Sequence, residues 1–96
     1  MLLKAGVDIS RLNREPRRSL RLVTVILAGF GGELIITSTY EGTHGEGSLH
    51  YSNDAYDIRE PLKNSASAVM QLKASLGSDY DVVLESDHIH IEYDPN

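Results

Sequence analysis

The run His88-Ile89-His90-Ile91-Glu92-Tyr93 decides the fold. Apolar and polar residues alternate through it, and successive side chains of a strand point to opposite faces. Ile89, Ile91 and Tyr93 therefore share one face, and His88, His90 and Glu92 share the other. That pattern predicts a sheet whose apolar side packs on other elements while its polar side stays open.

The neighbouring segments extend this reading. Tyr80 to Leu84 predicts a further strand. A helix is expected from about Pro61 to Leu76, with Leu62, Ala66, Val69, Leu72 and Leu76 on one face and Gly77 as the stop. Ala55-Tyr56-Asp57-Ile58 reads as a strand, and Glu33 to Ser38, rich in isoleucine, as a buried one. Between them, Glu41 to Gly47 holds three glycines in seven residues and reads as a surface loop. Leu20, Val23, Ile26, Leu27 and Phe30 recur at helical spacing after Pro16, although the β-branched content of Leu22 to Ile26 also permits a strand. Gly29, Gly31 and Gly32 end that element. Residues 1–15 are poorly patterned, with Asp8-Ile9-Ser10 the one candidate for a short helical turn. The order helix, strand, loop, strand, helix, strand, strand predicts an α+β fold, a mostly antiparallel sheet packed against two helices.

Ninety-six residues suffice for a single domain. Nine basic against fourteen acidic residues give a formal charge of -5, which argues against nucleic acid as a partner. Arg11, Arg14, Arg17, Arg18 and Arg21 crowd the N-terminal fifth, but no aromatic residues interleave with them, as a solvated helix face would have it. Without cysteine there are no disulfides and no thiolate metal sites. The longest apolar run, around Val25 to Ala28, is far short of a membrane span, and Met1-Leu2-Leu3-Lys4 does not open a signal peptide. A cytoplasmic protein without membrane insertion is expected, unless a separate factor releases it.

The chemistry concentrates in two stretches. His50 and Asp57 lie seven positions apart in Ser48-Leu49-His50-Tyr51-Ser52-Asn53-Asp54-Ala55-Tyr56-Asp57, and the His88-x-His90 pair follows on its strand. Two imidazoles and one carboxylate make a zinc set with one position left for water, at ligand distances of about 2.0–2.2 Å. The odd spacing of His50 and Asp57 requires a bend between them, for which Ser52-Asn53-Asp54 is a good turn sequence. The competing account is that the histidines are solvated residues on an exposed strand face.

At these residues the chain resembles the M15 peptidase and hedgehog-like zinc-domain superfamily, which includes D-alanyl-D-alanine carboxypeptidases and phage endolysins. Its first motif, S-x-H-x-x-G-x-A-x-D, is matched by Ser48, His50, Ala55 and Asp57, with Asn53 at the glycine position. Its second, a strand bearing H-x-H after an acidic residue, is matched by Asp87-His88-Ile89-His90. The likeness spans about residues 20–94 in the order of elements. It implies His50, Asp57 and His90 as ligands of Zn2+ on the open sheet face. It implies either Asp87 or Glu85 as catalytic base, with His88 orienting the base or the transition state. Ser48, Tyr40 and His44 become candidates for substrate binding, His44 and Tyr40 having exposure and packing as their ordinary alternatives. Two departures stand out. Many members carry an arginine directly after the tyrosine that follows the entering strand, whereas Glu41 follows Tyr40 here, and Asn53 replaces glycine. The resemblance implies a zinc metallopeptidase acting on small peptides or peptidoglycan stem peptides, of phage or prophage type. Its alternative is a non-catalytic zinc module for stability or protein interaction.

Overall fold

In the computed structural model, residues 1–40, 53–61 and 63–95 are described. Five strands and two helices follow in the order β1 (Leu2–Leu3), α1 (Arg14–Gly29), β2 (Ile35–Ser38), β3 (Ala55–Arg59), α2 (Ser65–Leu76), β4 (Tyr80–Leu84) and β5 (His88–Tyr93). The strands form one sheet in the order β1-β2-β3-β5-β4. All neighbours are antiparallel except β1 and β2, which are parallel and joined through α1, the kind of crossover a parallel pair needs. The expected α+β fold with a mostly antiparallel sheet and two helices is the one found.

Helix α1 wins over the strand alternative through its burial pattern. Ser19, Leu20, Val23, Ile26 and Leu27 are buried at three- and four-residue spacing, which only a helix can turn to one side. Its N-cap, Asn13, does not cap its own helix; its side-chain amide donates to Asp54 Oδ1 at 2.7 Å, tying the helix start to the entry of β3. The C-terminus closes by a Schellman pattern, with Gly31 N–H donating to Ala28 O and Gly32 N–H to Leu27 O. Gly31 has φ +73°, a conformation that glycine adopts without steric cost.

Helix α2 starts at Ser65, four residues after the expected Pro61. It buries Ala68, Val69 and Leu72, while Ala66 is exposed and Leu76 is half-buried. Expecting Ala66 on the packed face was an error: alanine carries too little apolar surface to say which side of a helix it occupies. Leu62 lies outside the described residues.

The N-terminal segment is better ordered than its patterning suggests. Leu2 and Leu3 pair with Ile35 and Ile36, Leu12 is buried, and Val7 and Ile9 pack on the core. Ser10 N–H donates to Asp8 Oδ1 in place of a helical turn, and the Arg17 guanidinium donates to the carbonyls of Ser10 and Leu12. A two-residue strand is too short for alternation to be read from sequence.

The core lies between the helices and one face of the sheet. Ile36, Tyr56, Ile58, Val82, Ile89 and Ile91 meet Leu20, Val23, Leu27 and Leu72 there. Tyr56, one residue before Asp57, belongs to this face: it is fully buried, and its hydroxyl bonds Ser19 Oγ at 2.7 Å. Burial raises its pKa well above the ordinary tyrosine value.

Candidate metal and proton-transfer site

The register of β3 against β5 creates the site. Asp57 stands opposite His90, and Arg59 opposite His88, on the face away from the helices. A bulge in β2 between Ile36 and Ser38 sets Ser38 beside Asp57 on the other flank. Paired residues of an antiparallel ladder project to the same side, so backbone pairing alone brings the carboxylate and imidazole together.

The side chains form an alternating row. His90 Nδ1 is 3.0 Å from Asp57 Oδ1, and His90 Nε2 is 2.6 Å from Glu92 Oε1. With both ring nitrogens facing carboxylates, the imidazolium form donates twice. The Asp57 hydrogen bond raises the His90 pKa most, burial opposes it, and Glu92 adds to the rise. On the other flank, His88 Nε2 lies 3.7 Å from the same Asp57 oxygen, an ion-pair separation, while His88 Nδ1 is 2.6 Å from Asp87 Oδ1. Asp57 Oδ1 thus stands between two rings, and each ring is held on its far side by another acid. Asp57 is buried despite its charge, and these partners offset the loss of hydration.

Beside His88 the sheet face carries a cavity of about 270 Å³, lined by Lys4, Thr37, Asp57, Arg59, Asp87 and His88. Beyond His90 lies an acidic group, Asp81, Glu92 and Asp94, whose ligand atoms all fall within 4.8 Å of one another. Among the described residues it is the one triple of metal-ligating side chains that converges this closely.

Of the residues inferred from sequence, the structure joins Asp57, His88, His90 and Asp87. The order of roles at Asp87 differs from expectation. Its side chain is 84% exposed and grips His88 Nδ1, so His88 stands between Asp87 and the centre. Glu85 lies three residues before His88, where a continuous strand would turn it to the opposite face, but a bend intervenes. Ser86 and Asp87 form a two-residue turn closed by Glu85 N–H donating to His88 O, which makes Glu85 and His88 a facing pair. Glu85 is nevertheless exposed. His50, Ser48, His44 and Tyr51 lie outside the described residues. Tyr40 is half-buried under the guanidinium of Arg11, 4.4 Å from the ring centroid.

Glu92 was missed as a site residue. The signal was available: it lies two residues beyond His90 on the same strand face, within reach of its ring. Arg59 carried the same signal, two residues beyond Asp57 on β3, whereas Lys4 and Thr37 had none, because only strand order brings them to Asp57.

As a test of zinc, the described donors fit one edge of a site. Asp57 and His90 supply oxygen and nitrogen side by side, and His50, the third ligand the resemblance implies, lies outside the described residues. Zinc requires a neutral imidazole, so a proton on His90 competes with the metal. No family model, no curated protein and no solved structure matches this chain.

Proposed function

We propose that the chain is a zinc-dependent hydrolase of small peptides, with cell-wall stem peptides as the substrate class its motif resemblance favours. The observation that carries this reading is the cross-strand pair Asp57–His90, 3.0 Å apart on an open sheet face, with the Asp87–His88 pair alongside. Zinc held by His50, Asp57 and His90 would lower the pKa of a water molecule towards about 7 and polarise the scissile carbonyl.

The protein's own groups supply the remaining functions. Glu92 accepts from His90 Nε2 and so turns Nδ1 towards Asp57, fixing which nitrogen is offered as ligand. Asp87 accepts from His88 Nδ1–H, which leaves Nε2 of the neutral ring unprotonated and directed at the Asp57 side. His88 can therefore take a proton from water and return it to the leaving amine, with Asp87 orienting the ring. Glu85, exposed on the same hairpin, is the alternative base.

A specific observation favours the second reading, a non-catalytic zinc or interaction module. Both nitrogens of His90 already have carboxylate partners, so the row is satisfied as a structural network without turnover. Zinc quantification together with muropeptide digestion separates the readings. The hydrolase reading expects stoichiometric zinc in the wild type and loss of both metal and turnover in His50→Ala and Asp57→Asn. In His88→Gln it expects metal retained and turnover lost. A wild-type protein that binds zinc and cleaves no muropeptide leaves the module reading standing.

A further inference from the structure

The net charge of -5 conceals an uneven distribution. Helices α1 and α2 together hold five basic residues, Arg14, Arg17, Arg18, Arg21 and Lys73, against one acid, Glu15. Of the nine basic and fourteen acidic residues in the chain, that leaves four and thirteen for everything else. The helices touch each other on one side of the sheet, so a basic helix layer backs an acidic remainder. Arg17 is held by the carbonyls of Ser10 and Leu12. Arg14, Arg18 and Arg21 form no ion pair among the described residues. With Val25 they recur at spacings of four, three and four residues, on the side of α1 opposite buried Leu20, Val23 and Leu27. Val25 is 65% exposed, and Met70, which points outward from α2, is 71% exposed. Among the described residues these are the two most exposed large apolar side chains.

Folding does not account for the arginine row. Like charges three and four residues apart repel along a helix, and cations in the first turn oppose the positive end of the helix dipole. An external anion relieves both, and phosphate oxygens match the guanidinium fork. We propose that the outer surface of the helix layer docks on an anionic lipid bilayer, with Arg14, Arg18 and Arg21 on headgroup phosphates and Val25 and Met70 at the acyl boundary. The mixture of charge and aliphatic surface favours lipid over other polyanions. Lipids move laterally to meet each guanidinium and yield to a small apolar group, whereas the phosphates of a nucleic acid leave Val25 and Met70 in water. Among the described residues no helix is long and apolar enough to cross a membrane, so the attachment is peripheral. Docked this way, the molecule turns its open sheet face, with Asp57 and His90, towards solution.

The test sediments the protein with vesicles of phosphatidylcholine alone and of phosphatidylcholine with about one-third phosphatidylglycerol. The expected result is binding to the anionic vesicles only, weakened by raising salt to about 0.5 M. Arg18→Gln should lower the partition coefficient about fivefold, and the combined substitution Arg14→Gln, Arg18→Gln and Arg21→Gln should abolish binding. Val25→Ser with Met70→Ser should lower it as well and leave the salt dependence in place. All five positions are exposed, so these variants remove no core group, and circular dichroism checks that they fold. The chain has no cysteine, so Val25→Cys and Glu85→Cys each take a single polarity-sensitive label. On anionic vesicles the label at position 25 should shift to the blue and the label at position 85 should not. Sedimentation with neither vesicle, equal sedimentation with both, or binding that survives the triple substitution overturns the proposal. So does a shift at position 85 without one at position 25. Should the wild type ignore vesicles while the same arginine substitutions abolish binding to a DNA duplex or self-association, the face serves that partner and the lipid proposal falls.

Discussion

The two faces of β5 obey opposite rules. Ile89 and Ile91 point into the core, where apolar contact is non-directional and an approximately correct shape suffices. His88, His90 and Glu92 point away from the helices, where each contact is polar, directional and dependent on a partner from another place in the chain. One six-residue strand thus packs the core with one side and carries the candidate site on the other. The difference teaches that stability and site can be perturbed almost separately, even between adjacent residues.

The largest expected effect comes from the core side. Ile91→Ala removes three buried carbons from a fully enclosed position and should cost about 2–5 kcal/mol in chemical denaturation, with zinc stoichiometry unchanged in the fraction that remains folded. His90→Ala, one residue away, should reverse the pattern. It should abolish zinc binding and lower the melting temperature by the equivalent of only about 1–3 kcal/mol, the cost of removing one hydrogen-bond partner of buried Asp57. Should that variant keep stoichiometric zinc, His90 is not a ligand.

Tyr56→Phe tests a polar contact on the apolar side. It removes the hydroxyl that meets Ser19, whose Oγ keeps its bond to Pro16 O, so denaturation should show a loss of about 1 kcal/mol. Zinc content and turnover should not change, since the ring faces away from Asp57.

Glu92→Gln should have the smallest effect on stability and a clear one on pH dependence. In the metal-free protein the His90 pKa is raised above 6.5 by Asp57 and, less strongly, by Glu92. Its contribution to stability is therefore fully present below about 6.5 and fades as pH rises through the raised folded value. Zinc uptake follows the opposite sign, strengthening as pH rises through that value and the ring loses its proton. Glu92→Gln should lower the folded value and move both transitions to lower pH, read by thermal melts and zinc titration across pH. Unmoved transitions would show that Glu92 does not act on His90.

Much of the fold was legible because its signals are local. The alternation of β5, the helical spacing in α1 and the glycines after Phe30 each state a conformation within a few residues. Ala66 shows where such signals weaken, and the strand at Leu2–Leu3 shows where they vanish, because a two-residue strand exists only through its neighbour. The site divides in the same way. His90, Asp57 and His88 could be nominated from spacing and resemblance, and Glu92 could have joined them from its place on the strand.

By itself, then, the sequence determined the types of α2 and of the strands from β2 to β5, the apolar and polar sides of β5, and the residue types able to meet a metal. Tertiary structure alone decided that Asp57 lies opposite His90, that a two-residue turn sets Glu85 against His88, and that Lys4 shares a cavity with Asp57 and His88. The physical reason is the range of the forces. Secondary structure follows from steric and solvation preferences of adjacent residues, whereas ladder register and strand order are set by the mutual burial of segments far apart in the chain.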